Sequence, residues 1–395
     1  MDINEFTKPL GEFEEIELQN RWCYAFRPSK LPLDFKIDLD LLNRMSSLMS
    51  ILSKLKSALD TNETLIPKIS PALISKAVLT ADATRSQNIE NIDVTLNDVY
   101  LYGILDDSEF LSVTTGKTKL NDVRETIIYM DTMKHLLSSE LSIGSIKKAH
   151  FLFMKNSLNS NEKRPGEFRN HDVWIGKRDE SVDHARFVPT RHIHIDDLME
   201  NLFNYLVNDK KTPLLIKAAI SHYQFETIHP FSDGNGRIGR MLMQKLISDE
   251  FFDSKMQINL ASFFQKNKQE YKDTLLRVSQ TSNINFWIDF FLEAMFSQIS
   301  ESASLISNLI EIKKEWLKVL DSKGLRFSKN VTKVIDGILS VPYFTWNSLK
   351  EESGVEYQTV RNITKKLIDA GIVTQLDSKK TNVFCALDVI RLFES

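Results

Sequence analysis

Apolar residues recur at helical spacing along most of this chain, and that periodicity limits the fold more than any other feature. Ile216, Ala219, Ile220 and Tyr223 stand at i, i+3, i+4 and i+7, one stripe of an amphipathic helix. Comparable stripes run through residues 40–60, 120–155, 195–207, 240–252 and 284–320. Only 13 glycines and 10 prolines interrupt 395 residues, as long helices joined by short turns require. A hydrophobic fraction of 42% beside 26% charged residues is that of a packed protein, and the length suggests two or three domains at roughly 100–200 residues each. The fold class expected is mainly α.

Charge and cysteine usage remove whole classes of function. Lys and Arg number 50 against 53 Asp and Glu, a net charge of −3, so any contact with nucleic acid must be local. Cys23 and Cys385 sit near opposite ends, which excludes a disulfide framework and a cysteine-based zinc site and fits a reducing compartment. The stretch Met1-Asp2-Ile3-Asn4-Glu5-Phe6 lacks the basic and apolar regions of a signal peptide. No apolar run reaches the ~18 residues of a transmembrane helix. A cytoplasmic location and no membrane partner are the expectation.

Two regions depart from helical patterning. Residues 165–190 hold Pro165-Gly166-Glu167-Phe168-Arg169, then Val173-Trp174-Ile175-Gly176, then Ala185-Arg186-Phe187-Val188-Pro189. Two β-prone runs about a polar connection predict a hairpin or extended flap, with Lys177 to His184 as its solvated tip. Beyond Gly324, a helix opening at Thr345-Trp346, a turn at Ser353-Gly354-Val355, a helix over 357–369 and a strand after Gly371 predict a winged helix-turn-helix. The expected division is a helical N-terminal segment over 1–80, a main domain over 81–300, a connecting helix over 301–322 and the winged helix over 323–395.

The chemistry is concentrated in His229-Pro230-Phe231-Ser232-Asp233-Gly234-Asn235-Gly236-Arg237-Ile238-Gly239-Arg240. Gly234 to Gly239 satisfies G-x-G-x-x-G, but a dinucleotide fold needs a preceding strand, and here a helix precedes. The spacing instead builds an anion site. Glycines at 234 and 236 allow a tight turn that points N–H groups inward at the start of a helix, where the dipole is positive. Arg237 and Arg240 share one face of that helix, and each offers bidentate contacts to phosphate. Asp233 supplies a carboxylate where the Mg²⁺ of a nucleotide would sit. His229, which Pro230 should hold extended, is suited to taking a proton from an incoming hydroxyl.

This segment resembles the Fic family signature, H-x-F-x-[D/E]-G-N-G-R-x-x-R, and matches it at every specified position. The resemblance extends over roughly residues 80–300, including the flap and Asn267-Lys268-Gln269-Glu270-Tyr271. It implies a Fic-type helical bundle with a small β-hairpin flap, and transfer of AMP from ATP to a Ser, Thr or Tyr hydroxyl of a protein, with release of pyrophosphate. Carried over, His229 is the general base, Phe231 a core anchor and Asp233 the Mg²⁺ ligand. Gly234, Asn235, Gly236, Arg237, Ile238, Gly239 and Arg240 bind nucleotide. Ile175 and Gly176 are assigned to nucleotide and, with Trp174, to the target-clamping flap, although a hairpin packed on the core is the equal alternative for Trp174. Relatives often pair tyrosines where this chain has Tyr271-Lys272, so Tyr271 is expected against adenine.

Ser86-Gln87-Asn88-Ile89-Glu90-Asn91 fits the family's inhibitory pattern [S/T]-x-x-x-E-[G/N]. Glu90 would pair with Arg240 and take the place of the γ-phosphate, which implies an autoinhibited enzyme. In some relatives this glutamate serves hydrolytic removal of AMP, so deAMPylation, or another nucleotidyl or phosphate transfer on the same scaffold, stays open. Self-modification and a homodimer follow by analogy. In the tail, Val360, Ile363 and Leu367 form the expected buried stripe, opposite Gln358, Arg361, Asn362, Lys365 and Lys366. That polar face could contact DNA, with a nucleotide-sensing DNA-binding regulator as the non-enzyme alternative, but protein docking or domain packing is the reading placed ahead of it. His150, His192, His194 and His222 lack zinc-like spacing and read as core or surface histidines; Glu226 is given only a capping role.

Overall fold

A computed structural model describes residues 1–60, 71–113, 120–156, 160–176, 181–253, 256–324, 328–376 and 382–394. The chain falls into two units: residues 1–50, 131–254 and 263–296 form the first, and residues 51–130, 255–262 and 297–395 the second. This division differs from the expected boundaries near 80, 300 and 322. Residues 81–130 group with the C-terminal part, because the helix Pro71–Ile89 packs on Lys329–Ser340, and Lys76 Nζ lies 2.5 Å from Glu352. The segment 301–322 is not a separate connector but the continuation of one helix, Asn285–Ser322.

The first unit begins with strands, which corrects the expectation of a helical segment over residues 1–80. Strands β1 (Gly11–Leu18) and β2 (Arg21–Pro28) pair antiparallel, from Gly11 opposite Pro28 to Leu18 opposite Arg21. Gln19 and Asn20 both have positive φ (54° and 58°), the type I′ turn whose twist suits a two-residue hairpin. Ile16 and Ala25 turn to one face and are buried with Val182, Ala185 and Val188. Helix starts only at Leu39.

The flap is present as two extended legs joined by one antiparallel bridge, Ile175 to Phe187, with Ile175 N–H donating to Phe187 O at 2.8 Å. Residues 177–180 of the expected tip lie outside the described residues. The rest of that tip is not fully solvated: Val182 is 1% exposed, held by the hairpin's apolar face. The returning leg also joins the hairpin, since Phe26 N–H donates to Val188 O at 2.9 Å.

Two helices dominate the first unit's core. Leu214–Ile228 buries residues on all sides, the apolar Ile216, Ala219, Tyr223 and Phe225 together with polar ones such as Ser221 and Thr227, whose hydroxyls donate to backbone carbonyls of the same helix. Trp287 Nε1 donates to Ala219 O at 2.7 Å, which satisfies its one polar atom inside the core. Asn235–Phe252 is the second, and it packs against the first. The six residues between these two helices are the motif loop, so both of its ends are anchored in rigid structure.

In the second unit, the order after residue 328 is helix Lys329–Ser340, β3 (Tyr343–Phe344), helix Trp346–Ser353, helix Tyr357–Asp369, β4 (Thr374–Leu376), β5 (Val383–Cys385) and helix Leu387–Glu394. The strands form one antiparallel sheet in the order β3-β5-β4. Thr345 and Ser348 make a reciprocal capping box, and Gly354 (φ 62°) ends that helix in the left-handed region. Val360, Ile363 and Leu367 are buried, as their spacing requires. The connection at residues 377–381 is outside the described residues. Among the described residues, no helix is long and apolar enough to cross a membrane.

Candidate active site

His229 terminates the helix Leu214–Ile228 in the left-handed conformation, φ 52° and ψ 62°. This overturns the expectation that Pro230 holds it extended. Its N–H still closes a helical bond to Phe225 O at 2.9 Å, and Arg169 Nε donates to its carbonyl at 2.9 Å. These two bonds fix the peptide on either side of the residue against the local preference. The ring Nδ1 lies 3.3 Å from Glu226 O. A carbonyl only accepts, so this contact places the proton on Nδ1 and leaves Nε2 as the basic nitrogen.

The loop then folds on Phe231, which is fully buried. Its ring stacks on His150 with centroids 3.8 Å apart and meets Phe168 and Phe225 at 5.4 and 6.3 Å. Burial of this phenyl group anchors the loop centre, the role expected for it. Asn235 braces the same residue: its Oδ1 accepts from Phe231 N–H and its Nδ2 donates to Phe231 O, each at 2.8 Å.

Gly234 takes φ 78°, and a Cβ there would lie 3.2 Å from Met154 Sδ, so both conformation and space call for glycine. The helix it opens carries no acidic residue in its first turn, and the carboxylate at its positive end is that of Asp233, whose Oδ1 accepts from Gly234 N–H at 2.6 Å. Arg237 and Arg240 are 7% and 2% exposed, and Arg237 lies over the Phe153 ring at 4.8 Å. Gly234 and both arginines thus lie within the cap and the first two turns of one helix.

Asp233 sits at the edge of this cradle. Lys163 Nζ lies 2.8 Å from its Oδ2 and Arg237 Nη2 3.4 Å from its Oδ1. Burial by itself would raise its pKa, but Arg237 and Lys163 outweigh it and hold the carboxyl below the usual range. The group is thus an ionised carboxylate beside Arg237 and a helix N-terminus, a donor of the kind Mg²⁺ takes together with phosphate oxygens and water. Among the described residues, no cluster of three or more His, Cys, Asp and Glu side chains could hold a metal unaided.

His150, for which the sequence leaves core or surface open, is fully buried. Its Nε2 donates to Asp233 O at 3.1 Å while Nδ1 accepts from Gly166 N–H at 2.9 Å. Burial pushes its pKa down to about 4, so it stays neutral and keeps both bonds at physiological pH.

Other predicted residues fall elsewhere. Tyr271 is a core residue rather than an open stacking surface: it is 3% exposed, its ring stacks on Phe264 at 4.8 Å, and its hydroxyl meets His222 Nε2 at 2.7 Å. Burial lowers the His222 pKa to about 3. Trp174 is half-buried against Ile16, Ala25 and Val182, and its indole covers Gly176, where a Cβ would approach within 2.6 Å. Ile175 packs near Phe187. His192 and His194 pair with Asp172 and Glu14, both at 2.8 Å.

Ser86 and Glu90 belong to the second unit. Ser86 is fully buried in the helix Pro71–Ile89, and Glu90 is the exposed residue that follows it. Asn91 has φ 63°, its N–H donates to Asn88 O at 3.1 Å, and Ile92 N–H donates to Gln87 O at 3.2 Å. That is a Schellman cap, and it explains why glycine or asparagine follows the glutamate: the position needs a left-handed backbone.

Residues 140–247 match the Fic/DOC family. The chain is 38% identical over 71 residues to the probable protein adenylyltransferase aq_aa38 of Aquifex aeolicus (strain VF5), a match covering 18% of this chain and 22% of the relative. It is 31% identical over 137 residues to the protein adenylyltransferase Fic of Aedes aegypti, covering 32% and 25%. The matched part therefore spans a quarter or less of these two curated relatives. Across the fold, the crystal structure of a Fic family protein from Desulfovibrio desulfuricans G20 superposes with a TM-score of 0.58 at 18% identity, covering 90% of this chain and 98% of that one. Residues 140–247 thus carry the similarity to the Fic/DOC family, and the fold is mainly helical like that neighbour's.

Proposed function

We propose that this protein is an autoinhibited adenylyltransferase that moves AMP from ATP to a hydroxyl side chain of a protein, itself included. The observation that carries the reading is the loop from His229 to Gly234. It sets a basic imidazole nitrogen at one end and a helix start with two buried arginines at the other.

In this reading the triphosphate lies across the first turn of Asn235–Phe252, where backbone N–H groups, Arg237 and Arg240 neutralise its oxygens. Asp233 would hold Mg²⁺, which, when bound, offsets phosphate charge. His229 Nε2 takes the proton of the target hydroxyl as its oxygen bonds to the α-phosphorus. The bond from that phosphorus to the bridging oxygen breaks, and pyrophosphate leaves with its electron pair. Positioning and electrostatics supply the acceleration, since little covalent chemistry is asked of the protein.

Autoinhibition rests on Ser86, Glu90 and Asn91. The cap geometry at Asn91 supports reading the segment as the family's inhibitory element, with Glu90 occupying the γ-phosphate position. The leg Val173–Gly176 would receive the target as an added strand. The element order and sheet β3-β5-β4 support a winged helix-turn-helix over residues 328–394.

The test uses full-length protein and its Glu90→Gly variant with Mg²⁺ and ATP labelled at either the α- or the γ-phosphate. Protein-bound label from the α-position, stronger in the variant, is expected. Label from the γ-position would mean kinase chemistry, and no label from either would end the proposal.

A further inference from the structure

Five hydrogen bonds gather on one residue that the motif does not contain. Arg169 is 2% exposed, and its guanidinium points only at backbone carbonyls. Nε donates to His229 O at 2.9 Å, Nη1 to His171 O at 2.9 Å, and Nη2 to Thr190 O and, at 3.4 Å, to Ile228 O. Its own N–H donates to Pro230 O at 2.9 Å. Three consecutive carbonyls, 228 to 230, are therefore tied to this single side chain and its backbone.

The other two acceptors lie on the flap. His171 precedes the leg that holds Ile175, and Thr190 follows the leg that holds Phe187. A planar guanidinium with its donors in a fixed fork suits such a junction, because it fixes direction as well as distance. The charge is compensated nearby: Asp172 Oδ1 lies 3.8 Å from Nη1. Burial lowers the Arg169 pKa only to about 10, so the cation persists at neutral pH.

We infer that Arg169 is a positioning residue: it holds His229 in its left-handed conformation and couples that conformation to both legs of the flap. The conformation needs a cause, because a residue before proline prefers an extended backbone and a non-glycine residue at positive φ is strained. Arg169 supplies it by capturing the His229 carbonyl in the direction that the left-handed backbone turns it. An extended chain bound on the flap would then bear on the base through one side chain.

This inference rests on the proposed transfer for its kinetic readout, but it has a second readout that does not. R169M and R169K are compared with the parent in the Glu90→Gly background, with H229A as the floor. Labelling by R169M should fall about 100-fold, as small misplacement of a reacting group does, while nucleotide affinity stays within about threefold. R169K, which keeps one donor and the charge, should recover part of the rate. Parental rates in both variants overturn the inference, and so does a rate loss matched by an equal loss of nucleotide affinity. If R169M does not fold, R169K alone decides. A crystal structure of R169M should show His229 leaving positive φ; its persistence there overturns the inference even if the parent transfers no AMP.

Discussion

Asn235 is bound to Phe231 in both directions, accepting from its N–H and donating to its carbonyl at 2.8 Å each. The pair closes the loop as a backbone ladder would, with a side chain standing in for the second strand. Both groups of Phe231 are buried, so nothing replaces these bonds when they are lost. Asn235→Ala should lower stability by about 2–4 kcal/mol, the cost of leaving two buried polar groups unpaired. Asn235→Asp should do no better, because an oxygen would then face the Phe231 carbonyl. Urea unfolding of both variants checks this; an Asp variant as stable as the parent would contradict the pairing.

His229→Ala removes the basic nitrogen and leaves the phosphate cradle intact. Transfer from α-labelled ATP should fall by about 10²–10⁴-fold, as loss of a general base does, with nucleotide affinity little changed. Filter binding beside a labelling time course separates the two quantities. Unchanged turnover would remove His229 from the chemistry.

The Asn91 cap carries its own test. Asn91→Gly keeps the left-handed backbone and should leave stability about as it is, whereas Asn91→Val should cost about 1–2 kcal/mol. If Glu90 blocks the nucleotide as proposed, fraying this cap also raises self-labelling part of the way towards Glu90→Gly. Equal labelling by the valine variant and the parent would separate the cap from inhibition.

His222 makes stability depend on pH. Its pKa falls from the ordinary 6.5 to about 3 on folding, through burial. Between those values the unfolded chain binds a proton that the folded chain does not. Its stabilising neutrality is therefore complete above pH ~6.5 and is lost progressively as the pH falls towards ~3. Denaturation midpoints across this range should decline less steeply in His222→Gln, which cannot titrate. Parallel curves for parent and variant would show that another group sets the slope.

The parts legible in the sequence were those written in contiguous residues. The His229–Arg240 segment packs base, turn and cradle into one short stretch, so spacing alone placed them together. The helix Leu214–Ile228 and the buried stripe Val360, Ile363 and Leu367 were likewise visible as periodicity. The hairpin was hidden because acidic residues at 12, 14, 15 and 17 break up the alternation, and Gln19-Asn20 is a weak turn signal. Arg169 gave no signal, since its acceptors come from separate segments and are backbone atoms, which sequence does not mark. Tyr271 misled because an aromatic expected against a base is equally good core, and Phe264 and His222 claimed it. His229 broke the rule for residues before proline because contacts distant in sequence outweighed a local preference.

The bond from Phe26 N–H to Val188 O makes the first thirty or so residues part of the flap's support rather than a leader to it. A chain trimmed to begin after Lys30 would leave the Val188 carbonyl without that donor and present the returning leg as a bare strand margin. Such a shortened protein would be prone to pair with copies of itself, and labelling measured on it would describe an associating species instead of the native one.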